Sequence, residues 1–327
     1  VEDGVIAVGS GGKMVKYDLD GHFVWEKVND TNFIKLTTVQ DGVICVTSYG
    51  KVAKYNFDGE WIWTNEEKDY AYNTIIPVEN GIIVSGYGIV AKYSLDGHFV
   101  WENRDKTYNY KGAVAVDDEV IVLADNRLVK FNLMDGNFID EKVEANDINR
   151  NSYRFCDAIK VEDGIIAVSY YGQIVKYDFE FRKIWENLEK YFYYIQATQI
   201  GDGLIAITNT GQIVKYDFEG HFVVYNNSKT YQFEDIICIE DGLIATGYYG
   251  GIAKYDFDGN VLWQSSEEAM RARRTAKVED GLISIGPFGT VAKFDLNGKK
   301  LWEKTVIMRN NYEDLDLVEG GIVAVAQ

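Results

Sequence analysis

Short runs of Val, Ile, Tyr and Phe alternate with polar turns along the whole chain, and no helical period appears. One stretch shows the grammar: apolar runs at 34–39, 43–47, 52–57 and 61–64. The breaks between them are Gln40-Asp41-Gly42, Ser48-Tyr49-Gly50 and Asp58-Gly59. β-Branched and aromatic residues fit a pleated surface, and Asp-Gly pairs supply the positive φ of tight hairpins. Four strands, A to D, joined by turns are therefore expected in each such stretch.

The stretch repeats. Lys followed by Tyr or Phe recurs at Lys16, Lys54, Lys92, Lys130, Lys176, Lys215, Lys254 and Lys293, at spacings of 38, 38, 38, 46, 39, 39 and 39. Four-stranded units in series predict an all-β fold, an eight-bladed β-propeller forming one domain over 1–327. An open solenoid would need polar terminal caps, which the end repeats lack. Residues 318–327 overlap the motif of 1–10. The segment 314–318 is thus expected to supply the missing strand A of the first repeat and close the ring. Two copies of strand B then compete for one slot, so one should be displaced or paired elsewhere, which makes either a monomer or a strand-exchanged oligomer.

Charge narrows the partners. Lys+Arg 33 against Asp+Glu 51 gives −18, which argues against nucleic acid and anionic lipid. No apolar run approaches the ~20 residues of a spanning helix, so membrane insertion is not expected. Cys45, Cys156 and Cys238 are too few and too scattered for a disulfide framework.

The segments IAVSYYGQIVKYDFEFRKIWE and GLIATGYYGGIAKYDFDGNVLWQ combine a strand, a glycine turn, a strand ending in Tyr-Asp, a second turn and a Trp. This pattern resembles the repeat of quinoprotein (PQQ)-like propellers over nearly the whole chain. Trp25, Trp63, Trp101, Trp185, Trp263 and Trp302 hold the Trp position, while Asp140 and Val224 replace it in repeats 4 and 6. An indole there is expected to pack between blades. Enzymatic members of that family use PQQ, calcium and often adjacent cysteines. Here the cysteines lie in different repeats and the long inter-blade insertions are missing. The resemblance implies the non-enzymatic branch, with no cofactor, a role as a binding scaffold, and export to the cell envelope.

Candidate chemistry is sparse. His22, His98 and His221 each follow a C–D turn glycine and should be far apart and solvated. The Asp-x-Asp-Gly turns lack the later ligands of a calcium loop. Gly9-Ser10-Gly11-Gly12-Lys13 precedes a strand, not the helix that a phosphate loop needs.

The two faces of the disk say more. A–B and C–D turns fall on one face, which should be acidic for solubility. B–C turns and D–A loops fall on the other, carrying Tyr70, Tyr108, Tyr171, Tyr231 and Tyr249, an aromatic surface suited to proteins or glycans. One aromatic set recurs too regularly for recognition: Phe33, Tyr72, Tyr110, Phe155, Tyr194, Phe233 and Tyr312, with Ala272 as the exception, read as inter-blade packing.

Two residues beyond each of these stand Lys35, Thr74, Gly112, Asp157, Gln196, Asp235, Arg274 and Asp314. This position varies and is expected to ring the mouth of a central channel. Repeat 7 departs most, with Met270-Arg271-Ala272-Arg273-Arg274 in place of the Tyr-rich loop, and Arg273 and Arg274 are expected beside Glu313-Asp314 of the next blade. These arginines read either as a salt-bridge cluster or as a site for an anionic ligand or partner. Protein binding is the leading expectation, a lectin-like carbohydrate or small-molecule propeller the alternative, and a PQQ-dependent dehydrogenase the third.

Overall fold

The computed structural model describes residues 4–8, 13–28, 32–47, 50–65, 71–145, 153–188, 192–227, 232–247, 251–265, 272–286, 289–305, 312–318 and 321–326. In the stretch read above, the strands are Phe33–Val39, Gly42–Thr47, Val52–Tyr55 and Trp61–Asn65, close to the expected runs. The described chain forms seven four-stranded sheets and one five-stranded sheet. Each four-stranded sheet runs A-B-C-D in antiparallel order, and strand A of one sheet touches strand A of the next. The architecture is an all-β propeller of four-stranded antiparallel blades. No helix among the described residues is long and apolar enough to cross a membrane.

Burial follows from stacking sheet on sheet. Strands B and C are covered on both faces, so Gly42–Thr47 and Val52–Tyr55 are buried throughout. Strand D is the outer edge, and Trp61–Asn65 is mostly exposed or half-buried. The recurring aromatic position is packing: Phe33, Tyr72, Phe155 and Tyr194 are each fully buried.

The duplicated strand resolves differently from the expectation. Neither copy is displaced. Gly4–Val8 and Gly321–Ala326 lie side by side in the five-stranded sheet, paired in parallel with Gly4 opposite Gly321. Tyr312–Val318 lies beyond Gly321–Ala326 as strand A and touches both Phe33–Val39 and Arg274–Val278. Because the two B copies share one register, each keeps its own antiparallel neighbour: Lys13–Asp18 for the first and Tyr312–Val318 for the second.

Between sheets the repeated residues form a clamp. The Trp63 indole stacks on Gly97 of the next sheet's C–D turn, and its Nε1 donates to Leu95 O at 3.0 Å. Trp101, Trp185, Trp263 and Trp302 repeat the bond to Leu133, Phe218, Leu296 and Leu19. Gly97 is required twice over: its φ is +84°, and an added Cβ would meet Trp63 Cδ2 at 2.5 Å.

The repeated Lys works on the same seam. Lys54 is 3% exposed, pairs with Asp41 of its own A–B turn at 2.7 Å, and also donates to Leu95 O. Asp163, Asp202, Asp241 and Asp280 serve Lys176, Lys215, Lys254 and Lys293 in the same way. The acidic turns are therefore more than a solubilising surface, since several hold the charge of a buried lysine.

One seam is inverted. In repeat 4 the Trp position is Asp140, and the facing turn of repeat 5 carries Phe181 instead of glycine, at φ 60°. The Phe181 side chain is 4% exposed and joins the core between those sheets, with Lys130 Nζ 4.9 Å from its ring centre. The aromatic group is supplied from the opposite side of the seam, at the cost of a left-handed backbone.

Candidate functional site

Strand A lines the middle of the ring. A cavity of about 410 Å³ there is bounded by Lys35, Thr74, Gly112, Asp157, Gln196, Asp235 and Arg274, among others. The variable position thus converges on the channel, as its place in the repeat implies. The side chain of Asp314 lies outside the described residues, as do Arg271, Tyr70, Tyr231 and Tyr249.

Several of these side chains are already in use. Asp157 Oδ2 accepts from Ala197 N–H at 2.9 Å, Gln196 Oε1 from Ile236 N–H at 3.2 Å, and Asp235 Oδ2 from Thr275 N–H at 2.9 Å. Each bond crosses to strand A of the next sheet. A β-bulge just before the position, between Phe155 and Asp157 for example, breaks the local ladder and re-aims the side chain that follows. Thr74 bridges too, donating to Lys111 O at 3.1 Å. The channel wall is therefore a second clamp, made of unlike residues.

Its electrostatics follow from burial. The Asp157 carboxyl is pushed up to about 6 by desolvation, against the pull of the Ala197 and Ala158 amides and the charges of Lys35 and Arg274. Burial likewise pushes the Cys156 thiol up to about 12, with Sγ directed at the carbonyls of Val168 and Tyr194. A thiol in that state is a poor nucleophile at neutral pH.

Beside the channel mouth is a second cavity of about 420 Å³. Ile195 and Phe233 contribute apolar surface, while Asn209, Gln232, Glu234, Arg273 and Arg274 supply polar groups. The arginines turn toward the preceding sheet. Arg274 Nη1 donates to Glu234 O at 2.7 Å and lies 3.4 Å from Asp235 Oδ1, while Arg273 Nε is 3.8 Å from Glu234 Oε2. The expected neighbours on the other side, Glu313 and Asp314, have side chains outside the described residues. The arginine head groups reach back because Glu234 and Asp235 occupy the equivalent strand-A positions one sheet earlier.

An aromatic shelf adjoins this cavity. Tyr170 packs against Tyr171 and Tyr193, with ring centres 5.4 and 5.5 Å apart, and Arg154 lies over the Tyr170 ring at 5.3 Å. Tyr171 and Tyr193 remain 41% and 46% exposed. Asn209 joins shelf to cavity: its Nδ2 donates to Tyr170 OH at 3.1 Å and its N–H to Tyr193 O at 3.0 Å. Tyr108 stands apart, its OH donating to Glu141 Oε2 at 3.1 Å beneath Arg127.

Sequence reading missed Arg154, Tyr170, Asn209 and Gln232. A signal existed for Asn209, since the turn Thr208-Asn209-Thr210-Gly211 drops the tyrosine that the B–C turns of repeats 2, 3, 5 and 7 carry. The histidines are remote from this site: His22 and His221 bond to Asp18 and Asp217 in exposed C–D turns. Asp20 joins Asp18 and His22 in a tight acidic group, and Asp18 Oδ1 there accepts the Asp20 and His22 amides as a turn brace.

The family model described as outer membrane protein assembly factor BamB matches residues 1–217 and 182–325. The chain belongs to that family of PQQ-like β-propeller repeats. BamB from Moraxella catarrhalis superposes with TM-score 0.72 at 15% identity, covering 87% of this chain and 91% of that one. The computationally designed protein Ika8 gives 0.74 at 11% identity, covering 94% and 97%. Saccharomyces cerevisiae Sqt1 gives 0.73 at 10%, covering 93% and 97%. At such identities the likeness is one of fold. No curated protein matches the sequence. Family membership accounts for the blades, while the channel and the shelf belong to this chain's own residues.

Proposed function

We propose that the chain is a non-catalytic binding scaffold that engages a protein partner through the face bearing the Tyr171–Tyr193 shelf and the Arg273–Arg274 cavity. The observation that carries this reading is the meeting of exposed aromatic rings with half-exposed arginines at one channel mouth. These are the residue types enriched where interfaces bury most of their energy. Membership of a family described by an assembly factor supports a protein partner. The non-catalytic part rests on the wall chemistry: the Asp157 and Asp235 carboxylates are engaged by backbone amides, and the Cys156 thiol is held protonated.

The ring is read as eight-bladed, with the five-stranded sheet as one blade. In support, Trp302 stacks on Gly21 of that sheet and donates to Leu19 O as at the other seams, and the six-membered ring of Trp25 lies against Gly59 of the following sheet. A glycan is the second reading, favoured by the flat exposed tyrosine faces beside a polar cavity.

Affinity capture tests the leading reading. The chain, a Tyr193→Ala/Arg273→Glu variant and an opposite-face Asp20→Lys/Asp58→Lys variant serve as baits. A partner retained by the native chain and the opposite-face variant, and lost by the shelf variant, is expected. Equal loss in both variants, or loss only in the opposite-face variant, contradicts the reading.

A further inference from the structure

We infer that the outer edge of strand Phe222–Asn227 is a dimer contact, where two copies of this chain pair antiparallel about a two-fold axis. The contact is separate from the duplicated terminal strand and from the channel mouth.

Each of the eight described sheets ends outward on a strand D, which has a hydrogen-bonded neighbour on one side only. The other side leaves alternate N–H and C=O groups unpaired, a template for a further strand. Native edges are blunted by charge, by proline or by shortness. Five of these strands carry charge: Phe23–Val28, Phe99–Asn103, Phe138–Val143, Lys183–Leu188 and Lys300–Thr305. Trp61–Asn65 and Val261–Gln264 are uncharged but only five and four residues long. Among the described edges, Phe222–Asn227 alone is uncharged over six residues.

The contrast is clearest between strands that begin alike. Gly-His-Phe-Val occurs at 21–24, 97–100 and 220–223. The first two continue Trp-Glu-Lys and Trp-Glu-Asn, whereas the third continues Val-Tyr-Asn and so loses both the seam indole and the charge. What remains is β-branched and aromatic, with neither proline nor glycine, the composition that favours pairing at an open edge.

The edge is ordered before any contact. Phe222 packs edge-on against Tyr216 with ring centres 6.0 Å apart, Tyr225 packs on Phe192 at 5.7 Å, and Asn226 Nδ2 donates to Gly259 O. Phe222, Val223 and Tyr225 nonetheless remain exposed. Association therefore freezes little side-chain motion.

A second copy suits this strand. In a two-fold pair centred on Val224, Val223 faces Tyr225 of the second copy, twice over, and Phe222 faces its Asn226. β-Branched residues opposite aromatic ones are favourable cross-strand pairs. A two-fold contact also brings residues near the axis against their own kind, so a charge there meets a like charge. An uncharged strand avoids this. With a net charge of −18, two copies repel overall, and this strip is where they can approach. The strip is narrow, so the dimer is weak.

Sedimentation equilibrium over about 1–200 μM, at low and high salt, tests the inference. A monomer–dimer equilibrium is expected, with a Kd on the order of 10–100 μM that tightens at least about 3-fold as salt screens the repulsion. Val223→Lys should abolish the dimer without moving the unfolding midpoint. Val24→Lys, at the same place in Phe23–Val28, should leave the dimer intact. Hydrogen exchange should slow only at 222–227 as concentration rises. A chain that stays monomeric throughout overturns the inference, and protection of 222–227 that appears only with a captured protein assigns the edge to that protein instead. A dimer that survives Val223→Lys, or is lost equally in Val24→Lys, overturns it in favour of another contact. A dimer that salt weakens overturns it, since charge pairs then hold the copies together. Growth beyond two copies overturns the two-fold form.

Discussion

The inter-sheet seams and the channel wall do the same mechanical work with opposite sequence rules. At the seams, Trp, Gly and Lys recur with little change: Trp63, Trp101, Trp185, Trp263 and Trp302 reach the next sheet through one bond type. Along the wall, Thr74, Asp157, Gln196 and Asp235 also reach the next sheet, yet no two neighbours are alike. The seam must accept a large indole beside a glycine, which few residue pairs can do. The wall needs only a polar atom near a backbone group, which many side chains provide. That freedom lets the wall and its mouth vary while the ring stays closed.

Removing a seam indole should have the largest effect. Trp101 is 6% exposed, donates to Leu133 O and stacks on Gly136. Trp101→Ala is expected to cost about 3–5 kcal/mol in urea or guanidinium unfolding. A loss below about 1 kcal/mol would mean that the indole is not the clamp.

The inverted seam sharpens the point. Phe181→Gly should destabilise by about 2–4 kcal/mol, the lost aromatic burial being partly offset by relief of the left-handed φ. Asp140→Trp alone should also destabilise, because Phe181 occupies the space. The double variant should recover much of both losses and restore the usual Trp–Gly arrangement. Simple additivity of the two losses would show that the residues do not share a site.

Wall residues should show pH dependence instead. Asp157 has a raised folded-state pKa of about 6, so its contribution is fully present below about pH 4 and is lost as pH rises through about 6. The turn carboxyls of Asp163 and Asp241 are held low by Lys176 and Lys254, so theirs is lost only as pH falls below the usual carboxylate range. Melting curves over roughly pH 3 to 7 should show Asp157→Asn removing the decline between about 4 and 6. An unchanged decline would place it on another group.

Deletion of 319–327 should have the smallest effect. The first copy of strand B lies next in the sheet, in the same register, and can pair with Tyr312–Val318 in place of the second. Cooperative unfolding should persist with a change within about 1 kcal/mol. Loss of the cooperative transition would show that both copies are needed.

Much of the fold was legible because the repeated Lys-Tyr pair and Asp-Gly turns carry their own geometry. The strand runs and the buried aromatic position, Phe33 to Phe233, followed from period and residue type. The parallel pairing of the duplicated strand did not, because two like strands fit one slot equally well in sequence. The candidate site was half legible. Gln196, Asp235 and Arg274 follow from the register of strand A, whereas Arg154, Tyr170 and Asn209 meet only after neighbouring sheets are stacked. The direction of Arg273 and Arg274, toward Glu234 and Asp235, also depends on that stacking.

On the proposed reading, recognition belongs to the channel mouth between Tyr193 and Arg274. Hydrogen–deuterium exchange of the chain, alone and with its captured partner, tests it most directly. New protection is expected at 193–196, 209–212, 232–235 and 273–275, with the C–D turns around Asp20, Asp58 and Asp96 unchanged. Protection confined to those turns, with the channel mouth exchanging as before, would contradict it.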